Sequence, residues 1–193
     1  MSGPAPTTEV ARPVTVDPAE FRLVEFDASE IERLVAGVAD RIGVPQEMAV
    51  RVEVDETTPL GRARLASIKP LVLEVESGGF EDPLRPRRLS PTNVEVTAGR
   101  LLMQAVDRLS TAFGAAPPDT ELTLAEAAAW DAYATGRLER LGYPSQRDRR
   151  RYHFRIRHGF TDAADAAFER LWSASELTWD EVRELSESVG IRL

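Results

Sequence analysis

The chain has 193 residues, a net charge of −8, and 42% hydrophobic against 29% charged residues. These proportions suit one globular domain, or at most two small ones, and are too apolar for a disordered chain. It contains no cysteine, which excludes disulfides, thiolate metal sites and thiol catalysis and removes any need for an oxidising compartment.

The acidic total argues against a generally nucleic-acid-binding or membrane-adhering surface. Lys69 is the single lysine beside 23 arginines, a bias that, with abundant alanine and proline, points to a high-GC bacterial genome. The first residues, MSGPAPTTEVARPVTV, lack the basic and apolar regions of a secretory signal. No apolar run approaches the roughly 18 residues of a membrane span. A cytoplasmic protein that does not enter the membrane is the expectation.

Residues 1–17, rich in Pro, Thr and Ala and without periodicity, read as a flexible leader, and residues 18–193 as a single compact domain. Phe21 to Phe26 suits a short strand. Asp27 then caps a helix with Glu30 reaching back to its start, and Ile31, Leu34, Val35, Val38 and Ile42 form one apolar stripe closed by Gly43 and Pro45. Val50, Val52 and Val54 alternate with Arg51, Glu53 and Asp55, the pattern of a half-buried strand. A strand near 62–66 and another carrying Leu71, Leu73 and Val75 complete a β-α-β-β-β order.

The second half reads as helical. Ser90-Pro91 caps a helix whose inner face holds Val94, Ala98, Leu101, Leu102, Ala105, Leu109 and Ala112, with Gly114 as its stop. Capping boxes Thr123-x-x-Glu126 and Thr178-x-x-Glu181 open two more helices. Ser145 caps a shorter one ending before Gly159, and Thr161 opens another with Ala164, Phe168, Leu171 and Trp172. The fold class expected is α+β: a small mixed or antiparallel sheet packed by a helical C-terminal half.

Signature chemistry is missing. The glycines form no P-loop, no GxGxxG and no GxSxG elbow. His153 and His158 stand five residues apart, whereas a helical zinc pair needs four. The β-α-β-β-β-α order resembles the core of zincin metallopeptidases, whose helix after the sheet carries HExxH. Here the matching helix reads VEVTAGRLLMQAVDRL, without histidine. The resemblance is one of topology and does not carry peptidase activity. No cofactor and no metal are expected. Glu53, Asp55, Glu56, Glu74 and Glu76 occupy polar strand positions, where solvation explains them without a catalytic role.

Two arginine clusters remain. Arg85, Arg87 and Arg88 lie on a proline-stiffened loop before a helix N-terminus, where backbone N–H groups and guanidiniums favour an anion; local pairing with Glu81 and Asp82 is the plainer reading. The segment 147–158, RDRRRYHFRIRH, holds six arginines against one aspartate. As a helix it places Arg147, Arg151, Arg155 and His158 on one stripe and Tyr152, Ile156 and Phe160 opposite. As a strand it would turn Tyr152, Phe154 and Ile156 inward, and the flanking Ser145 and Gly159 favour the helix.

The candidate anion- or partner-binding residues are Arg147, Arg150, Arg151, Arg155 and Arg157, with Arg85, Arg87 and Arg88. The leading reading is a non-catalytic binding or regulatory protein that presents this helix to an acidic protein partner. Alternatives are an enzyme acting on an anionic or phosphorylated small molecule, and a nucleic-acid-binding protein. A closed pocket joining Glu53, Asp55 or Glu74 to an arginine cluster would favour the enzyme; a flat, exposed arginine stripe would favour a partner or nucleic acid.

Overall fold

The computed structural model describes residues 12–189. Four strands, β1 (Val14–Asp17), β2 (Val50–Asp55), β3 (Ala63–Ile68) and β4 (Leu71–Glu76), form a sheet in the order β1-β2-β4-β3. β1 runs parallel to β2 and β2 parallel to β4, whereas β3 returns antiparallel on the edge. Helix α1 (Ala28–Ile42) links β1 to β2, and a hairpin of β5 (Glu81–Asp82) and β6 (Arg85–Leu89) leads into α2 (Pro91–Leu109). Helices α3 (Leu124–Arg140), α4 (Arg147–His158), α5 (Asp162–Ser173) and α6 (Trp179–Glu187) follow. This is the expected α+β class, with a mixed, mostly parallel sheet.

Alternation fixes which face of the sheet is covered. Val50, Val52, Val54, Leu71, Leu73 and Val75 pack with Ile31, Val35 and Val38 of α1 and Ala98, Leu101 and Leu102 of α2. The other face carries Asp17, Arg51, Glu53, Asp55, Arg64, Glu74 and Glu76, charges that solvent accommodates. A second cluster joins α3 to α6 around Trp130, Tyr133, Phe154, Phe168, Trp172 and Trp179. Helix α3 serves both, giving Ala134 and Leu138 to the sheet side and Ala129, Trp130 and Tyr133 to the helical side. Being apolar on two faces, it is buried on both.

Several expectations are corrected. The leader assigned to residues 1–17 shortens at its C-terminal end, because Val14–Asp17 pairs along β2 as β1. Just before it, buried Arg12 donates to the carbonyls of Val44 at 2.5 Å and Pro45 at 2.6 Å and bridges Asp40 at 3.1 Å, satisfying the end of α1. Residues 1–11 of that leader lie outside the described residues. Phe21–Phe26 is not a strand; only Glu25 bridges, to Arg88, and Phe21 meets Phe26 edge-on. The loop read around Arg85, Arg87 and Arg88 is instead the β5–β6 hairpin, and α2 ends at Leu109 on Ser110 rather than at Gly114.

Candidate functional site

Helix α4 is rotated by what it can bury. Phe154 stacks on His158 with centroids 3.8 Å apart and meets Phe168 of α5 at 5.8 Å. The ring of His158 lies 3.0 Å from the Phe154 carbonyl through Nδ1 and 2.8 Å from the Ser186 hydroxyl through Nε2. Because a carbonyl only accepts, Nδ1 carries the proton and Nε2 accepts from Ser186. These two aromatic rings face the core, so the rest of the helix is assigned by its period.

Arg147, Arg151 and Arg155 therefore face α5. Arg151 and Arg155 both hold Asp165, at 2.8 Å and 2.6 Å respectively, and Arg147 pairs with Glu169. The two guanidiniums keep the Asp165 carboxyl far below its ordinary value, through hydrogen bonds from Arg155 first and Arg151 second. The expected apolar side, Tyr152, Ile156 and Phe160, faces outward instead, with exposures of 58%, 43% and 66%. The correction has a simple cause: the short side of α4 that meets α3 and α5 has room for Phe154 and His158, and an apolar stripe is not buried without a surface to cover it.

A third side of α4 opens on a cleft of about 470 Å³ between edge strand β3 and helices α2, α3 and α4. Arg62 and Arg64 come from the β3 side, Arg149, Arg150, His153 and Arg157 from α4, and Arg100 and Gln104 from α2. Six lining arginines face two lining aspartates, Asp119 and Asp131. Arg62, Arg149 and Arg157 are exposed and make no salt bridge among the described residues.

Asp131 of α3 organises the floor. Its Oδ1 accepts from Arg100 at 2.6 Å and Gln104 at 3.1 Å, and its Oδ2 accepts from Arg150 at 2.9 Å. Burial alone would raise the Asp131 pKa, but the charges of Arg100 and then Arg150 outweigh it and hold the carboxyl below its ordinary value. Burial also pulls the Arg150 guanidinium down to about 10, because Asp131 offsets it only in part. The pKa of His153 is lowered by burial, with Arg150 and Arg149 adding to the effect.

The polar edge of β3 is closed by side chains. Leu65 N–H donates to Asp119 at 2.8 Å, and the Ala63 carbonyl accepts from Arg100 at 3.3 Å. Asp119 is in turn neutralised by Arg108 at 2.6 Å. Helix α2, which follows the sheet, turns Arg100 and Gln104 toward Asp131.

The acids singled out as enzyme candidates gather elsewhere. Glu53, Asp55, Glu74 and Glu76 line an open groove of about 680 Å³ on the polar side of the sheet, with Asp17, Arg62 and Arg64. Arg64 holds Glu74 at 2.5 Å, Arg51 holds Glu53 at 3.0 Å, and Asp55 accepts from Thr57 and Thr58. Neither predicted arginine cluster lines this groove. Arg85 pairs with Asp82 at 2.8 Å, Arg88 with Glu25 at 3.1 Å, and the Arg87 N–H donates to Glu81 at 3.0 Å. Arg87 holds a left-handed φ of 67°. Asn93 and Ser90 occupy the start of α2, Asn93 N–H donating to the Ser90 hydroxyl.

Of the expected binding residues, the structure brings Arg150 and Arg157 into the cleft, ties Arg147, Arg151 and Arg155 to α5, and leaves Arg85, Arg87 and Arg88 on a separate hairpin. Arg62, Arg100, Gln104, Asp131, Arg149 and His153 were not singled out as site residues. Arg100 and Gln104 did carry a signal, a polar pair one turn apart flanking Leu101 and Leu102 on a buried helix. Arg149, His153 and Arg157 form an i, i+4, i+8 stripe once Phe154 is taken as the buried ring.

No protein-family model, curated protein or solved structure matches this chain.

Proposed function

We propose that this is a non-catalytic binding protein that presents the outer side of α4 to an acidic protein partner. The observation that carries this reading is the convergence of Arg62, Arg149 and Arg157, guanidiniums without a carboxylate partner among the described residues, beside an uncovered apolar stripe. Tyr152, Ile156 and Phe160 supply that stripe, with Tyr152 and Phe160 in edge-to-face contact at 6.2 Å.

Apolar anchors ringed by charge are the usual anatomy of a docking surface. The ring here is cationic in a chain of net charge −8, so charge complementarity selects an acidic partner and speeds the encounter. Arginines already paired across α4 and α5 are spent on the fold, and the binding role falls to those that face away.

Poly-glutamate serves as the probe, with fluorescence anisotropy as the measurement. Binding should fade as salt rises, because screening shortens to about 8 Å at physiological ionic strength. Changing Arg62, Arg149 and Arg157 together to glutamine should weaken it by about tenfold or more, while circular dichroism stays unchanged. No binding at low salt would sink the reading. Tighter binding to single-stranded DNA than to poly-glutamate would replace the acidic partner with nucleic acid.

A further inference from the structure

We propose that the floor of the β3–α4 cleft is a binding site for the phosphate dianion of a small organic phosphate, gripped by Arg150 and Arg100. This goes beyond the partner reading and does not depend on it. The two readings share the wall arginines Arg62, Arg149 and Arg157, but the floor formed by Arg100 and Arg150 on Asp131 has no part in the partner reading.

The argument starts from an imbalance. Arg100 is only 8% exposed, Arg150 is nearly as withdrawn, and the two guanidiniums share one carboxylate, Asp131. Elsewhere on α2 and α3 the same chain matches its withdrawn guanidiniums one to one. Arg108 takes Asp119 at 2.6 Å, and Arg137 takes both oxygens of Asp107 at 2.7 and 2.5 Å. Burying a charge without a full counter-charge is costly. A cleft that only had to close would not keep the second guanidinium.

Among the described residues the Nε atoms of Arg100 and Arg150 are buried without an acceptor, a shortfall shared by Nη1 of Arg108 and Nε of Arg137. It is therefore the charge imbalance at Asp131 that sets this pair apart. Among the described residues Arg150 is met through Nη1 alone, which leaves the rest of its fork without an acceptor there. Gln104 also donates its amide N–H to Asp131, so three donors draw on one carboxylate.

The remaining walls set the ligand class. Arg149, Arg157 and Arg62 add three cations whose guanidiniums make no salt bridge among the described residues, and Asp119 is already neutralised by Arg108. That surplus favours a dianion over a carboxylate, and the planar guanidinium fork matches phosphate oxygens in pairs. A volume of about 470 Å³ is the size of a small-molecule site, with room for an organic group beyond the phosphate. His153 lies on the same wall and reports on occupancy, since an anion beside it favours its protonated form.

The test is a proton NMR titration of the full chain at low ionic strength, following His153. The chain has two histidines, and buried His158 serves as the internal control. Phenyl phosphate is the probe, inorganic phosphate the second arm, and benzoate the carboxylate control. The expected result is a saturable shift at His153 with its pKa rising, and phenyl phosphate binding about tenfold tighter than benzoate. Arg150→Gln should weaken phenyl phosphate by about tenfold, and Arg87→Gln on the β5–β6 hairpin, which does not line the cleft, should leave it unchanged.

Should Arg150→Gln fail to fold, Arg157→Gln on the exposed wall provides the second variant, with an expected loss of about threefold. The proposal is overturned by the absence of saturation up to about 10 mM phenyl phosphate. Benzoate binding equally well would also overturn it, as would folded Arg150→Gln that binds like the wild type. If inorganic phosphate binds while phenyl phosphate does not, the organic ligand class is wrong and the proposal falls.

Discussion

At Asp131 one carboxylate answers two guanidiniums and an amide, and this makes it the most exacting single residue of the cleft. Asp131→Asn removes the charge while keeping the shape, leaving Arg100 and Arg150 buried together without a counter-ion. Breaking a buried pair costs about 3–5 kcal/mol, so urea unfolding should show a loss of that order. Arg151→Gln should cost clearly less, because Asp165 keeps Arg155 and the pair lies near the surface. His158 adds a pH effect of definite sign. Burial lowers its pKa below the ordinary 6.5, so the neutral ring is favoured in the fold. Its contribution is fully present above about pH 6.5 and is lost as pH falls through the lower folded value. Denaturant midpoints should drop between pH 7.5 and 5.5, and His158→Gln should flatten that drop.

At the scale of elements, α3 and α5 cross so closely that a single methyl group decides the fit. A Cβ on Gly136 would stand 2.2 Å from the carbonyl oxygen of Trp172 and 2.9 Å from its carbonyl carbon, both backbone atoms that cannot swing aside. Gly136→Ala should therefore push α5 outward and destabilise by about 1–3 kcal/mol, the range for overpacked cores, although alanine is the better helix former. Chemical denaturation checks this; a variant as stable as the wild type would show that the two helices do not cross at this distance. Helix existence was legible in sequence because the caps are local. Thr123 and Thr178 bond within their own first turns as capping boxes. The rotation of α4 was not legible, since Tyr152, Ile156 and Phe160 make as good an apolar stripe as the side holding Phe154.

Across the whole molecule the two apolar clusters are joined by α3 and by a polar clamp. Asp107 of α2 accepts from Trp130 at 2.8 Å and from both terminal nitrogens of Arg137, and the guanidinium of Arg137 lies 3.9 Å over the Tyr133 ring. This shared helix and buried clamp should make the sheet and the helices unfold together. All three tryptophans lie in the helical cluster, so their fluorescence reports on that side alone. Leu73→Ala, fully buried in the sheet, should cost about 2–5 kcal/mol and shift the tryptophan transition by the same amount as far-UV circular dichroism. Separate transitions would mean that α3 does not couple the two clusters.

What the sequence determined by itself was local: helix starts from their caps, the buried side of β2 and β4 from strict alternation, and the absence of thiol chemistry from the lack of cysteine. Each depends on residues within one or two turns, or on composition alone. Tertiary structure decided the rest. β1 lies at Val14–Asp17 rather than Phe21–Phe26 because only the earlier segment aligns along β2. Arg147, Arg151 and Arg155 belong to the fold because α5 brings Asp165 and Glu169 against them. Arg62, Arg100 and Arg150, separated by up to 88 positions in the chain, meet because β3, α2 and α4 wall one cleft. A charge reveals its role only when its partner is known, and partners distant in sequence are chosen by packing.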